Sequence, residues 1–407
     1  MVGIIGGGLA GLACAVELAR AGRSFVLLEA SDGLGGRVRT DKHDGLLLDR
    51  GFQVLLTSYP HIARYVDVAE LSPRYFDSGA LIRHRDSLVA LRHPAFHPDG
   101  LWESITSPAL PVLDKVRLGL LGLGAMAATD ASLLRRTRAL DDRSVATLLE
   151  SEGFSRIAME NFFRPFFGGV LLDNHLESSA ALFLYYLKKF ATGRAWLPAG
   201  GIGELPNAMA RRLPEGAVRL NSKVTGLVAS GDRVEALELA DGTRINVDSA
   251  VVALDAPSRC ALFGWEPPAC RSVAVVYFRT HQPLYKERLL VLPPGPESIV
   301  RHFVQLTNVV PEYAPSGVHL ISATVLDPEK SESEVRAAIR LLFPGAELEQ
   351  VATRTVANAL PVQRPGFGRP AFRCSVPSNV RVAGDGPDGA SIESALASGR
   401  RAAEALL

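Results

Sequence analysis

Cysteine is scarce in this chain. Four residues among 407, Cys14, Cys260, Cys270 and Cys374, form no Cys-x-x-Cys pair. Such spacing excludes a disulfide framework and a zinc knuckle, and it suits a reducing compartment. Lysine is also rare, seven residues against thirty-seven arginines, yet the formal net charge is only +1. That balance gives no electrostatic case for nucleic acid or an anionic surface as partner. Long apolar runs are missing too. The most apolar stretch, 118–128, is about half the length of a bilayer span. It reads as a buried helix, with a substrate lid or a peripheral membrane contact as the alternative. There is no Gly-x-Ser-x-Gly elbow and no Walker loop, which removes hydrolase-elbow and P-loop chemistry. His93 and His97 have ligand spacing, but Pro94 between them would break the helix they need, so no metal is expected. The first strand-like run begins at Val2, which leaves no room for a signal or transit peptide. A cytoplasmic location is the expectation.

What is present is a globular composition, 47% hydrophobic and 21% charged, over a length that exceeds one ordinary core. Two domains are expected. The first forty residues organise the rest. A short apolar run (Val2, Ile4, Ile5) predicts a buried strand, and an Ala/Leu-rich stretch over 9–21 predicts a helix that stops at Gly22. A second apolar strand, Phe25–Leu28, ends on Glu29-Ala30. Gly6-x-Gly8-x-x-Gly11 falls at the first turn of this β-α-β unit. Gly6 permits the tight turn, Gly8 lets a pyrophosphate approach the backbone, and Gly11 lets helix and strand pack closely. The free N–H groups at the helix start, around Leu9 and Ala10, and its positive dipole end favour phosphate. Glu29 can accept hydrogen bonds from both hydroxyls of an adenosine ribose, and it disfavours the 2′-phosphate of NADP. Gly35-Gly36-Arg37 follows at a distance suited to a second phosphate-contacting turn, with Arg37 as a charged clamp.

Together, Gly6-x-Gly8-x-x-Gly11, Glu29-Ala30 and Gly35-Gly36-Arg37 resemble the FAD signature of the flavin amine oxidase superfamily. Its members include monoamine and polyamine oxidases, protoporphyrinogen oxidases and phytoene desaturases. The resemblance implies FAD rather than NAD. It also implies that the segment Gly51-Phe52-Gln53-Val54, after Asp49, passes beside the flavin ring. Phe52 then lies near the isoalloxazine or, alternatively, fills the core of a hairpin. The residue matching Val224 contacts the adenine through its backbone, and Ala253 lies in the returning strand 250–254. Near the C-terminus Gly384-Asp385 follows a strand over 379–383, and Asp385 matches a position that bonds the ribityl chain or a phosphate oxygen through water. Ser391 and Ile392 open the last helix, whose dipole points at the flavin N1/C2 edge and favours hydride acceptance. Where amine oxidases commonly place a cage tyrosine, this chain has Ser391-Ile392, which makes simple amine oxidation a weaker reading. An aromatic can come from elsewhere, for example Phe52, Tyr185 or Tyr277. No histidine or cysteine beside this motif can anchor the flavin, so noncovalent FAD is implied.

The expected fold class is α/β with mixed elements: a Rossmann-like FAD-binding domain with an inserted substrate-binding domain of helices and a mixed sheet. The FAD domain is expected over 1–57, 193–265 and 355–407, and the substrate domain over 58–192 and 266–354. Within 58–192 helices are predicted over 111–128, 144–152 and 178–190, nothing alternates with parallel strands, and the insert reads as mostly helical. The run Asn161-Phe-Phe-Arg164-Pro165-Phe-Phe-Gly168-Gly169 reads as an aromatic core with Arg164 in a structural ion pair. The alternative is an apolar tunnel in which Arg164 holds an acidic group. No catalytic residue stands out. The preferred function is an FAD-dependent oxidoreductase removing a hydride from a carbon of an apolar or amphipathic small molecule. Alternatives are an amine or amino-acid oxidase, a flavin-dependent isomerase, and a non-catalytic flavoprotein.

Overall fold

The computed structural model describes residues 1–84, 87–93, 96, 105–139, 141–295, 298–368, 376–386 and 389–407. Pro94, His97 and Cys374 lie outside them. A five-stranded sheet is built on Val2–Ile5. Its strand order is Val218–Arg219, Phe25–Leu28, Val2–Ile5, Ser249–Val252 and Val380–Val382, all parallel. Parallel strands covered on both faces need continuous apolar runs, and every residue of the three central strands is buried. The helix Leu9–Arg20 follows at once, buried from Leu9 through Leu18. It lies under the last helix, Ile392–Glu404, where small residues let the two backbones approach. Cys14 in that contact is fully buried, and burial pushes its thiol up to about 12. It is packing, as the sequence indicated.

A second, seven-stranded sheet runs in the order Glu349–Pro361, Cys270–Thr280, His319–Val325, Val300–Gln305, Leu290–Leu292, Gly79–His84 and Ser87–Arg92. The insert over 58–192, expected to be mostly helical, contributes two strands to this sheet. Gly79–His84 and Ser87–Arg92 form a hairpin that joins the distant Leu290–Leu292 in parallel through Ala80, Leu81 and Ile82. Two further strands were not predicted, and their composition explains why. Glu349–Pro361 is exposed on much of its length and carries polar residues there. Val300–Gln305 is fully buried although it contains arginine, histidine and glutamine. The predicted helices form as Val112–Ala127, Val145–Ser151 and Ala180–Thr192. Between the last two, Met159–Phe167 is π-helical around Pro165. Proline supplies no N–H to an α-helical ladder, and such one-turn deviations often mark functional segments.

The helix Val112–Ala127 departs from the buried reading. Val112, Leu113, Val116, Leu120 and Leu123 are 53–65% exposed on one side, and the residues exposed between them are glycine, methionine and alanine. The opposite side packs on Ala180–Thr192. Among the described residues no single helix is long and apolar enough to cross a membrane, although this one and Asp130–Arg136 reach that length together across a 104° bend.

Candidate functional site

The glycine turn closes at the C-terminal end of Val2–Ile5, the edge at which parallel sheets receive ligands. Gly6 has φ +101°, and a Cβ there would stand 2.6 Å from the Ala253 carbonyl. A Cβ on Gly11 would stand 1.9 Å from the Gly6 carbonyl. These two positions are glycine because backbone crowds them. Gly8 is different: nothing lies within 4 Å of the position its Cβ would take. The space is open where a phosphate would approach. Gly35 donates its N–H to the Gly7 carbonyl at 2.8 Å and bridges Gly8, and a Cβ on Gly36 (φ +59°) would lie 3.3 Å from the Gly8 Cα. The two glycine turns therefore lie against each other.

Glu29 accepts the Gly7 N–H at 2.7 Å, and the Ser31 N–H and hydroxyl at 2.8 and 2.7 Å. A carboxylate offers about four acceptor positions, so capacity remains for a ribose hydroxyl. Ala30 follows in the chain, and the Ser222 N–H donates to the Glu29 carbonyl at 2.8 Å, which brings the start of Val224–Ser230 to this end. Ala253 donates its N–H to the Ile5 carbonyl and so stands beside the first turn.

Arg37 and Asp385 bond to each other. The guanidinium donates to both carboxylate oxygens at 2.7 and 2.8 Å and to the Ala359 carbonyl at 2.6 Å. Asp385 is buried, and its own carbonyl accepts from Arg259. This ion pair, made through one guanidinium nitrogen, ties the first glycine-rich segment to the last. It lies beside a cleft of about 370 Å³ lined by Gly36, Arg37, Asp41, Arg50, Arg354 and Val356. Gly51 has φ +105°. Gln53 donates to the Arg37 carbonyl at 3.3 Å, while its buried Oε1 has no partner among the described residues. Val54 is half-buried against the main core. Phe52 packs on the rings of Phe76 and His302, with centroids at 6.4 and 5.1 Å. At the other end, Gly384 (φ +100°) donates its N–H to Ser398, and Ser391 caps the last helix, which begins at Ile392, by accepting the Ser394 N–H.

Sequence reasoning missed several residues here. The hydroxyl of Tyr186 lies near Ser391, and Tyr59, Tyr185 and Tyr186 all stand near Glu393 or Ser391. His61 pairs with buried Glu393 at 2.5 Å. Arg164 makes the structural contacts expected of it, to Glu160 at 3.5 Å and to the Asn174 carbonyl at 2.9 Å. His302 is 6% exposed, and burial with the Arg301 charge lowers it to about 4. Its imidazole is therefore neutral. No histidine motif signalled it, because its partners come from other elements.

Asp49, just before Gly51, is 4% exposed. It accepts from the Thr40 hydroxyl (2.6 Å), the Ile202 N–H (3.0 Å) and the Tyr313 hydroxyl (2.8 Å), and Tyr277 donates to its carbonyl. Burial nevertheless lifts the carboxyl from 3.8 to about 6. A carboxyl raised by folding gives stability that is full below its unfolded value and is lost as pH rises through the folded one. The gap corresponds to ~3 kcal/mol. Between about pH 4 and pH 6.5 the parent protein should lose about that much against Asp49→Asn, measured by urea melts. Parallel pH profiles for the two proteins would show that Asp49 carries no such penalty.

The geometry has known counterparts. The family model for flavin-containing amine oxidoreductases matches residues 9–407. A lycopene-forming phytoene desaturase of Pantoea ananas is 25% identical over 276 residues, covering 59% of this chain and 53% of that one. A phytoene dehydrogenase of Streptomyces griseus is 28% identical over 292 residues, covering 65% and 56%. The matched stretch is thus little more than half of these relatives' length. A putrescine oxidase solved with putrescine superposes with a TM-score of 0.73 at 19% identity, covering 100% of this chain and 98% of that one, a likeness of fold.

Proposed function

The chain belongs to the flavin-containing amine oxidoreductase family and is an oxidoreductase; from that premise we propose that it holds FAD noncovalently and removes a hydride from a carbon of an apolar or amphipathic small molecule. The observation that carries this reading is the pair of facing glycine turns, with open space at Gly8 and spare acceptor capacity on Glu29. Gly8, Leu9, Ala10 and Gly36 would hold the pyrophosphate, Glu29 the ribose and Val224 the adenine. Gly51 to Val54 and Ile392 would lie beside the ring, which supplies the redox chemistry when bound. Gln53, with an unpartnered Oε1, fits a hydrogen-bond donor there. The residues present fit the group.

In this reading 1–57, 193–265 and 355–407 form the cofactor domain, and 58–192 and 266–354 the substrate domain. The relatives named as desaturases support an apolar substrate. A second reading, amine oxidation, is favoured by Tyr186 at Ser391, because it brings an aromatic ring to the helix start that lacks its own. Visible spectra under nitrogen decide between them. Bleaching of the flavin band by a polyene and not by diamines supports the first reading, the reverse supports the second, and a protein that takes up no FAD removes both. Glu29→Ala should weaken FAD binding at least about tenfold, the scale of a lost charge-assisted hydrogen bond.

An apolar substrate resides in membranes, and the uncovered side of Val112–Ala127 is suited to meet one. Large exposed apolar patches mark interaction surfaces, and an interfacial helix sinks its apolar side into the headgroup boundary. Arg135 and Arg136 are exposed just beyond it. The protein should float with phosphatidylglycerol vesicles, and Leu120→Glu with Leu123→Glu should abolish flotation while leaving the melting curve unchanged. Equal flotation of the two proteins would discard the contact.

A further inference from the structure

The strand Val300–Gln305 carries two buried polar side chains, Arg301 and His302, that are poorly paired among the described residues. Val300 opposes Val325 and His302 opposes Thr324, so Arg301 is the extra residue of a β-bulge. A bulge re-aims side chains that would otherwise alternate across the sheet. Arg301 is 3% exposed, with Arg164 and Glu160 of the π-helical segment as its nearest charges. Among the described residues it makes no hydrogen bond and no ion pair. Glu160 is the only anion among these three charges, and it already faces Arg164 at 3.5 Å. Among the described residues one positive charge is therefore buried in excess, a costly arrangement unless a further anion supplies the counter-charge.

Beside it, the backbone carbonyl of Pro165 is the one acceptor near the His302 imidazole among the described residues, neither ring nitrogen makes a well-formed hydrogen bond, and the hydroxyl of Thr324 across the strand pair is buried and unpartnered. Room for the imidazole is specifically made: a Cβ on Gly169 would lie 2.5 Å from Nδ1. On its other side the imidazole meets Phe52 of the segment proposed to flank the flavin. Three donor side chains, Arg301, His302 and Thr324, thus lie side by side at the border of the helical insert, the sheet and that segment. Phe162 and Phe166, stacked 5.7 Å apart, pack against Ile82 and Leu292 of the same sheet and give an apolar continuation.

We propose that Arg301, His302 and Thr324 receive the carboxylate of the substrate, so that the oxidised molecule is an amphipathic acid and not a pure hydrocarbon or a cationic amine. As a statement about the substrate this rests on the flavin-dependent reading above. Arg301 supplies the charge, while the neutral imidazole and the hydroxyl donate hydrogen bonds that fix orientation.

The test uses decanoate and its neutral counterpart decanamide, titrated into the full-length flavin-loaded protein by calorimetry, with flavin content measured separately by absorbance. Decanoate should bind at least about tenfold more tightly than decanamide, as for a charge-assisted pair. Arg301→Met should remove that preference and leave decanamide binding unchanged, Arg301→Lys should keep part of it, and Thr324→Val should weaken decanoate alone even if the arginine variants do not fold. Equal binding of the two probes, no binding of either, or a preference that survives Arg301→Met would each overturn the site. A colourless protein that still prefers decanoate would leave the site standing and remove the flavin reading; a yellow protein without preference would do the opposite.

Discussion

Replacing Gly8 by alanine is expected to give a protein that folds normally and carries no flavin. The new methyl group meets nothing within 4 Å, and Gly8 has φ −70° and ψ 178°, an extended conformation open to any residue. It precedes the first helix, where a glycine-to-alanine change costs less than about 1 kcal/mol. The methyl group would stand in the space proposed for the pyrophosphate, and displacing a phosphate from the free N–H groups behind it forfeits several charge-assisted bonds together. The reading is flavin absorbance per mole of protein beside a urea melt. Full flavin content in the variant would mean that the phosphates lie elsewhere, and a collapsed melt would mean that Gly8 is crowded after all.

The opposite result is expected at Gly399, on the last helix behind Ala10. There a Cβ would stand 2.0 Å from the Ala10 carbonyl and 2.9 Å from the Ala13 Cβ, both on the helix Leu9–Arg20. Neither neighbour is a flexible side chain, so the two helices must separate. Overpacking of this kind costs roughly 3 kcal/mol or more. Because Ala10 and Gly11 move with that helix, Gly399→Ala should lose stability first and flavin as a consequence. Gly11→Ala, with its 1.9 Å contact, should behave in the same way. A Gly399→Ala protein within about 0.5 kcal/mol of the parent would show that the helices cross with slack.

The contrast between these glycines also separates what was legible in the sequence from what was not. The turn at Gly6, Gly8 and Gly11 could be read because its causes are local: a buried strand, a tight turn and a helix follow within a few residues. The long-range partners had no such signature. Arg37 reads as a clamp on phosphate and Asp385 as a separate contact, and the ion pair between them joins residues far apart in the chain. Val300–Gln305 reads as polar and lacks the apolar alternation of a strand, yet all six residues are buried. Its burial is imposed by two neighbouring strands and the π-helical segment. The hairpin over 79–92 was hidden likewise, since its partner strand, Leu290–Leu292, is remote in the sequence. Tyr186 could have been found as an aromatic on the buried side of a predicted helix, but nothing local tied it to Ser391.

The parallel sheet also has an order of arrival. Its strands are Val2–Ile5, Phe25–Leu28, Val218–Arg219, Ser249–Val252 and Val380–Val382, so the element made first is flanked by one that emerges only after most of the chain. Until Ile392–Glu404 follows, the first helix lacks the neighbour it packs against most extensively. Non-local pairing of this kind folds slowly and leaves apolar surface open meanwhile. On the ribosome, the glycine turn at the head of the chain must wait for the tail before its pocket is closed. A nascent chain halted before Val380 should be held by chaperones and recovered without bound flavin, whatever the supply of FAD.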